Sequence, residues 1–191
     1  EVLLKGSVVE NLSLILRNGD IIKELRDEVD AYEYDLTIIG GSAKRSMSHD
    51  MIQYINSSIF VVNNFNKTIT YKILLAVDDS PGTKKAVKYG VRVAQAFGIK
   101  VQIITVNEDD NSKEANKKSS ENASKMMRRC GVEAETKFEI GKPVDKIIEL
   151  AGEDHIIIMG ASTQSPIAKF FIGSKPLNVM QNSNCPILIV K

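Results

Sequence analysis

The sequence is short of the residues that most often carry chemistry. Its two cysteines, Cys130 and Cys185, stand far apart, with no CxxC pair and no Cys/His spacing of a zinc site. Such usage fits a reducing, cytosolic setting. Its two histidines, His49 and His155, have no serine or cysteine partner at a recognisable spacing, and both read as surface or strand-edge residues. There is no Walker P-loop, no paired set of metal carboxylates and no nucleophile elbow, so a hydrolytic enzyme has no catalytic constellation here. No apolar run approaches the roughly 20 residues that span a bilayer. No signal peptide is visible and no initiator Met opens the chain, which reads as a processed or excised piece of something longer. A net charge of +1 makes no global case for nucleic acid as a partner.

What is present describes an ordinary globular chain with a real core: 43% apolar and 26% charged residues over 191 positions. Charge is uneven. Residues 1–66 carry six basic and ten acidic groups, and residues 67–191 carry 19 and 14, so the second part suits an anionic ligand better than the first.

From residue 71 onward, short apolar runs alternate with amphipathic stretches. Strands are expected at 72–77, 100–106, 132–140, 156–159 and 186–190, with helices at 83–97, 121–130, 144–151 and 176–182. Residues 107–120 read as a polar insertion. Continuous apolar strands alternating with helices imply a five-stranded, open, parallel, doubly wound α/β sheet covered on both faces. Ligands of such sheets bind at the carboxyl ends of the strands, where strand order reverses. The loops to watch are therefore 78–82, 106–108 and 160–174.

The last of these, GASTQSPIAKFFIGS, follows an apolar strand and precedes a helix. Gly160 and Gly173 present no Cβ to a ligand, and the helix beginning near Ser174 turns free N–H groups and a positive dipole end toward the loop. The stretch reads as a phosphate cradle. Lys169 lies inside it, and Asp109-Asp110 stand in the polar insertion where a Mg²⁺ ion would need that loop folded over the site.

The chain also repeats itself. Residues 141–190 run glycine turn, helix, D-x-I-I-I-x-G strand, helix and I-L-I-V strand; residues 19–62 run glycine turn, helix, D-L-T-I-I-G strand, helix and I-F-V-V strand. Asp20 is the expected cap of the first of these helices, and 12–16 (LSLIL) an expected strand ahead of it. Residues 63–70 read as a linker. The expected division is 1–66, a partial and degenerate half domain, and 67–191, a complete domain. The first copy has no room for a cradle and is expected to be structural. Its half sheet leaves an apolar edge that must pair with the second copy, another chain or an unseen part of the parent.

The strand end ILLAVDDS (73–80) and the pattern Gly160-x2-Thr163-x9-Gly173-Ser174 resemble the universal stress protein family, whose ATP-binding members show G-x2-G-x9-G-[ST] and an Asp after the first strand. Thr163 stands where that pattern has its middle glycine. The resemblance implies a Rossmann-like, adenine nucleotide α-hydrolase-like fold and an ATP or AMP ligand, with or without Mg²⁺. Carried over by motif, Asp78 would accept from ribose or adenine. Val106 would offer backbone groups to adenine, and Gly160 and Thr163 would shape the phosphate loop. The N–H groups of Gly173, Ser174 and Lys175 would hold phosphates. The leading reading is an adenine-nucleotide-binding regulatory or stress-response module that is not an enzyme. The alternative is a non-binding dimerisation or regulatory domain, such as the cytoplasmic tail of a transporter. Expected partners are the nucleotide and either a homodimer or an intra-chain tandem pairing through the last strands. No nucleic acid and no membrane insertion are expected.

Overall fold

The structure is a computed structural model that describes residues 13–40, 45–63, 66, 68–108, 113–161 and 174–191. In chain order its elements are α1 (Ile21–Tyr32), β1 (Leu36–Gly40), α2 (Arg45–Tyr54), β2 (Ser58–Val62), β3 (Lys72–Ala76), α3 (Pro81–Phe97), β4 (Val101–Asn107), α4 (Lys113–Arg129), β5 (Ala134–Ile140), α5 (Pro143–Ala151), β6 (His155–Gly160), α6 (Ser174–Asn182) and β7 (Ile187–Val190). The seven strands form one sheet in the order β1-β2-β7-β6-β3-β4-β5. Neighbours run parallel except β2 and β7, which are antiparallel.

Strands β3 to β7 are the expected five-stranded doubly wound unit. The chain moves outward from β3 through β4 to β5, then returns to place β6 and β7 on the other flank of β3. The β3 strand is apolar at successive positions because both of its faces are covered: Ile73, Leu74 and Leu75 are all fully buried. On one face, Val29 of α1, Ile52 of α2, Ile147 of α5 and Val179 of α6 join Ile59, Leu74, Ile157 and Ile187. On the other, Ala86 and Val91 of α3 and Met127 of α4 pack on Ile73, Leu75, Ile103 and Ile158.

The strands at the amino-terminal side join the five-stranded unit through β2 and β7: Ile59 lies opposite Ile189 and Phe60 opposite Leu188. Each of these strands has a parallel neighbour on its far side, β1 for β2 and β6 for β7. Neither therefore offers a free edge for a homodimer through the same strands.

Lys191 follows β7 and reaches across this seam, its ammonium donating to the carbonyl of Ile55 at the end of α2. Burial lowers its pKa to about 8 from 10.5. The unfolded chain then binds more protons than the folded one between those two values, so stability rises with pH through that window and is lowest below it. Lys191→Met should abolish the rise, as followed by chemical denaturation from pH 7 to 11.

Asp20 caps α1 as expected, its carboxylate accepting from the Lys23 N–H at 2.9 Å. Two expectations fail. Residues 107–120 are not a polar insertion throughout, because α4 begins at Lys113. The buried stripe of α4 is Asn116, Ser120, Ala123 and Met127, and its first two positions are polar, so no apolar periodicity marks them. Within the expected strand at 12–16, the described residues 13–16 form no ladder and are exposed.

Candidate functional site

The fold brings residues 78–82, residues 106–108 and the described ends of the third loop, 160–161 and 174, toward one end of the sheet. Strand order reverses between β3 and β6. There the chain leaves β3 at residues 77–80 to enter α3, and leaves β6 at Gly160. The two exits touch backbone to backbone. A Cβ on Gly160 would stand 2.6 Å from the Gly82 carbonyl oxygen and 2.8 Å from its Cα, and one on Gly82 would stand 2.7 Å from the Ala161 carbonyl oxygen. The bare backbone at Gly160 allows the close approach of α3.

Asp78 organises the first turn of α3. Its Oδ1 accepts from the Ser80 N–H at 3.1 Å, the Ser80 hydroxyl at 2.5 Å and the Thr83 hydroxyl at 2.7 Å. Ser80 is the N-cap residue by backbone geometry, yet its side chain makes no cap bond because Asp78 takes it. All three contacts fall on one carboxylate oxygen. The second oxygen, Oδ2, takes none of them.

Val106 is half-buried and its side chain packs on the α5–α6 face of the core. Pairing between β3 and β4 ends at Ala76 opposite Ile104, while pairing of β4 with β5 continues to Asn107 opposite Ile140. The β3-facing backbone edge of β4 is therefore unladdered at Val106, just where Asp78 turns away. A planar donor–acceptor group can be read by such an edge.

Into the same corner comes Asn116, a residue sequence reasoning left in the polar insertion. Its Oδ1 accepts from the Asp79 N–H at 3.0 Å, and its Nδ2 donates to Asn107 Oδ1 at 2.8 Å. Asn107 and Asn116 are both buried, which makes a satisfied polar bridge between the β3 exit and the end of β4.

The α6 helix runs from Ser174 to Asn182. Lys175 pairs with Glu108, just past β4, at 3.4 Å, and both side chains are well exposed. An ion pair in solvent contributes only about 0–1 kcal/mol, so an incoming anion can replace Glu108 at little cost. Beside this pair lies a cavity of about 400 Å³ between the end of β4, the start of α5 and α6, with Lys142, Lys175 and Asn178 among its walls. Of the described residues assigned from sequence, Lys175 alone lines it. Thr163 and Gly173, with Lys169, Asp109 and Asp110, lie outside the described residues.

The histidine reading needs amendment. His155 opens β6 but is buried, with Nδ1 2.9 Å from the Ala151 carbonyl and 2.7 Å from Asp154 Oδ1. Cys185, also buried, donates to the Gly152 carbonyl at 3.0 Å, and burial pushes its thiol pKa up. Among the described residues no three His, Cys, Asp or Glu side chains are grouped to hold a metal ion. Nor is any described helix long and apolar enough to cross a membrane.

The sequence profile of the universal stress protein family matches residues 70–191. A universal stress protein of Methanocaldococcus jannaschii is 25% identical over 138 residues, covering 63% of this chain and 81% of its own length. One from Synechocystis is 23% identical over 196 residues, covering 97% of this chain and 67% of its own. Among solved structures, a universal stress protein from Archaeoglobus fulgidus superposes with a TM-score of 0.68 at 18% identity, over 89% of this chain and 64% of that one. Another from that organism, solved in complex with dAMP, gives 0.54 at 22% identity over 64% and 99%. With a profile match over most of its length, and with the β3 exit, the β6 exit and the α6 start gathered at one switch point, the chain belongs to the universal stress protein family.

Proposed function

We propose that residues 67–191 are an adenine-nucleotide-binding regulatory domain, and that residues 1–66 are a partial copy kept for structure. The observation that carries the reading is the convergence at the β3/β6 switch point. It brings together a carboxylate oxygen of Asp78 and a backbone edge at Val106 that are both without a partner among the described residues, and the α6 start with Lys175. The base and ribose would sit between Asp78 and Val106. The phosphates would lie toward Ser174 and Lys175, with Gly160, Thr163 and Gly173 completing the loop. The dAMP complex of the Archaeoglobus protein supports the ligand class. ATP or AMP, with or without Mg²⁺, is the proposed ligand, and no chemical step is assigned to the site.

A ligand that binds only the folded state stabilises it by mass action, by about 2.7 kcal/mol at 100 times its Kd. Millimolar AMP or ATP with Mg²⁺ should therefore raise the melting temperature by several degrees, as read by differential scanning fluorimetry. An unchanged melting temperature with both nucleotides counts against the proposal.

One observation favours a second reading, in which the fold is a non-binding interaction module. Asn116 already bridges Asp79 and Asn107 in the corner where the base would lie. On that reading, shortening the side chain with Asn116→Ala lowers stability and leaves the protein indifferent to nucleotide. On the binding reading, the variant still responds to nucleotide.

A further inference from the structure

Among the described residues the sheet has two free edges, β1 and β5. The β1 strand (LTIIG) carries no charge, so nothing on it selects a register with a partner. The β5 strand (AETKFEI) does. Its Phe138 and Ile140 are 48% and 72% exposed, although both are large and apolar. They lie beside Thr105 and Asn107 of β4 and share their face, whereas Lys137 and Glu139 lie beside Ile104 and Val106 on the other. Lys137 and Glu139 pair with each other along the strand at 2.9 Å.

The backbone decides which residues can bond outward. The Glu133 carbonyl accepts from the Val101 N–H, and the Gly141 N–H donates to the Asn107 carbonyl, each at 3.0 Å. Odd-numbered residues of β5 therefore turn their backbone groups toward β4. The even-numbered ones, Thr136, Phe138 and Ile140, turn theirs to the free edge, because direction alternates along a strand. An edge with unpaired N–H and C=O groups is a template for another strand.

A second copy of the chain offers the same edge, and a two-fold axis sets two such strands antiparallel. Charge then selects among the registers. Centred on Glu135, Lys137 or Glu139, the pairing sets that residue against itself. Centred on Ala134 or Thr136, it sets Glu133 against Glu135 or Glu139. Centred on Ile140, it runs off the strand into Gly141 and Lys142. Centred on Phe138, it sets Lys137 of each copy against Glu139 of the other. These two contacts fall in non-hydrogen-bonded pairs, where side chains approach most closely. Phe138 meets Phe138, and Thr136 meets Ile140, in pairs that exchange both backbone hydrogen bonds. We propose that β5 is a homodimer edge, on which two copies pair antiparallel about an axis at Phe138 and cover the apolar side chains of Phe138 and Ile140. The edge is distinct from β7, which β2 occupies within the chain. The inference is independent of nucleotide binding.

Sedimentation and amide exchange of the full chain, without nucleotide, test it. Sedimentation should show a monomer–dimer equilibrium. The Phe138 and Ile140 amides should exchange at least about 10-fold more slowly at about 1 mM chain than at about 10 μM, while those of Lys137 and Glu139, already turned to β4, should not change. Lys137→Glu and Glu139→Lys, each alone, place like charges opposite twice and should weaken dimerisation at least about 10-fold. Mixed together, the two variants should form a heterodimer as tight as the parent dimer, a rescue that misfolding would not permit. The chain carrying both substitutions should dimerise like the parent. A chain that stays monomeric at about 1 mM, a dimer indifferent to the single reversals, or reversals that mixing does not rescue overturns the proposal. So does protection of the Phe138 and Ile140 amides at every dilution, since the chain would then cover its own edge.

Discussion

Gly160→Ala should lower stability by about 3 kcal/mol, a fall of roughly 6–12 °C in melting temperature for a chain of this size. The backbone at Gly160 is ordinary strand, so alanine is conformationally allowed there and the effect is purely one of space. The added Cβ would meet the Gly82 carbonyl oxygen at 2.6 Å and its Cα at 2.8 Å. These are backbone atoms in the first turn of α3 and cannot swing aside as a side-chain end would. Relief requires α3 to move off β6, which loosens Ala86 and Val91 against Ile158 on that face. Gly82→Ala should behave alike, because its Cβ would meet the Ala161 carbonyl oxygen at 2.7 Å. The double variant should cost less than the sum, since one displacement of α3 relieves both clashes. Thermal unfolding of the three variants decides this. A Gly160→Ala protein that melts with the parent would mean that the two glycines do not meet as described.

Asp78→Ala should weaken nucleotide binding by about 10- to 100-fold, the range expected for losing a hydrogen bond to a charged group. It should also destabilise the domain, because Oδ1 holds Ser80 and Thr83 at the start of α3. These two roles separate with Asp78→Asn. The amide oxygen can still accept from Ser80 and Thr83, so most stability returns, whereas the charge facing the nucleotide does not. Isothermal titration with AMP beside chemical denaturation reads both quantities. If the alanine variant loses stability but binds like the parent, Asp78 is a helix-capping residue and nothing more.

The architecture was legible because both faces of β3, β4, β6 and β7 are covered, which writes those strands as apolar runs with turns between them. That the apolar strand at 58–62 needs a neighbour was legible too, and of the partners the sequence left open the structure shows β7 of the same chain. What stayed hidden depended on contacts distant in sequence. The first half of α4 carries Asn116 and Ser120 on its buried stripe, so periodicity gave no helix there. Asn116 is buried because Asn107 and the Asp79 N–H satisfy it, and nothing local announces those partners. The LSLIL run has the composition of a strand, but a strand exists only when another chain segment hydrogen-bonds to it. The packing of Gly160 against Gly82 was equally invisible, since the two lie far apart in sequence. The Lys175–Glu108 pair likewise joins the start of α6 to the end of β4, which only the folded sheet brings together.

The central claim is that adenine nucleotide binds at the β3/β6 switch point of residues 67–191. Its most direct test is a titration of ¹⁵N-labelled protein with AMP and with ATP plus Mg²⁺, followed in amide correlation spectra. Saturable shifts are predicted at Asp78 to Gly82, Val106 to Glu108, Gly160 to Ala161 and Ser174 to Lys175, with residues 13–62 undisturbed. Spectra unchanged at millimolar nucleotide, or shifts confined to Lys142 and its neighbours around the α5 cavity, would contradict the account.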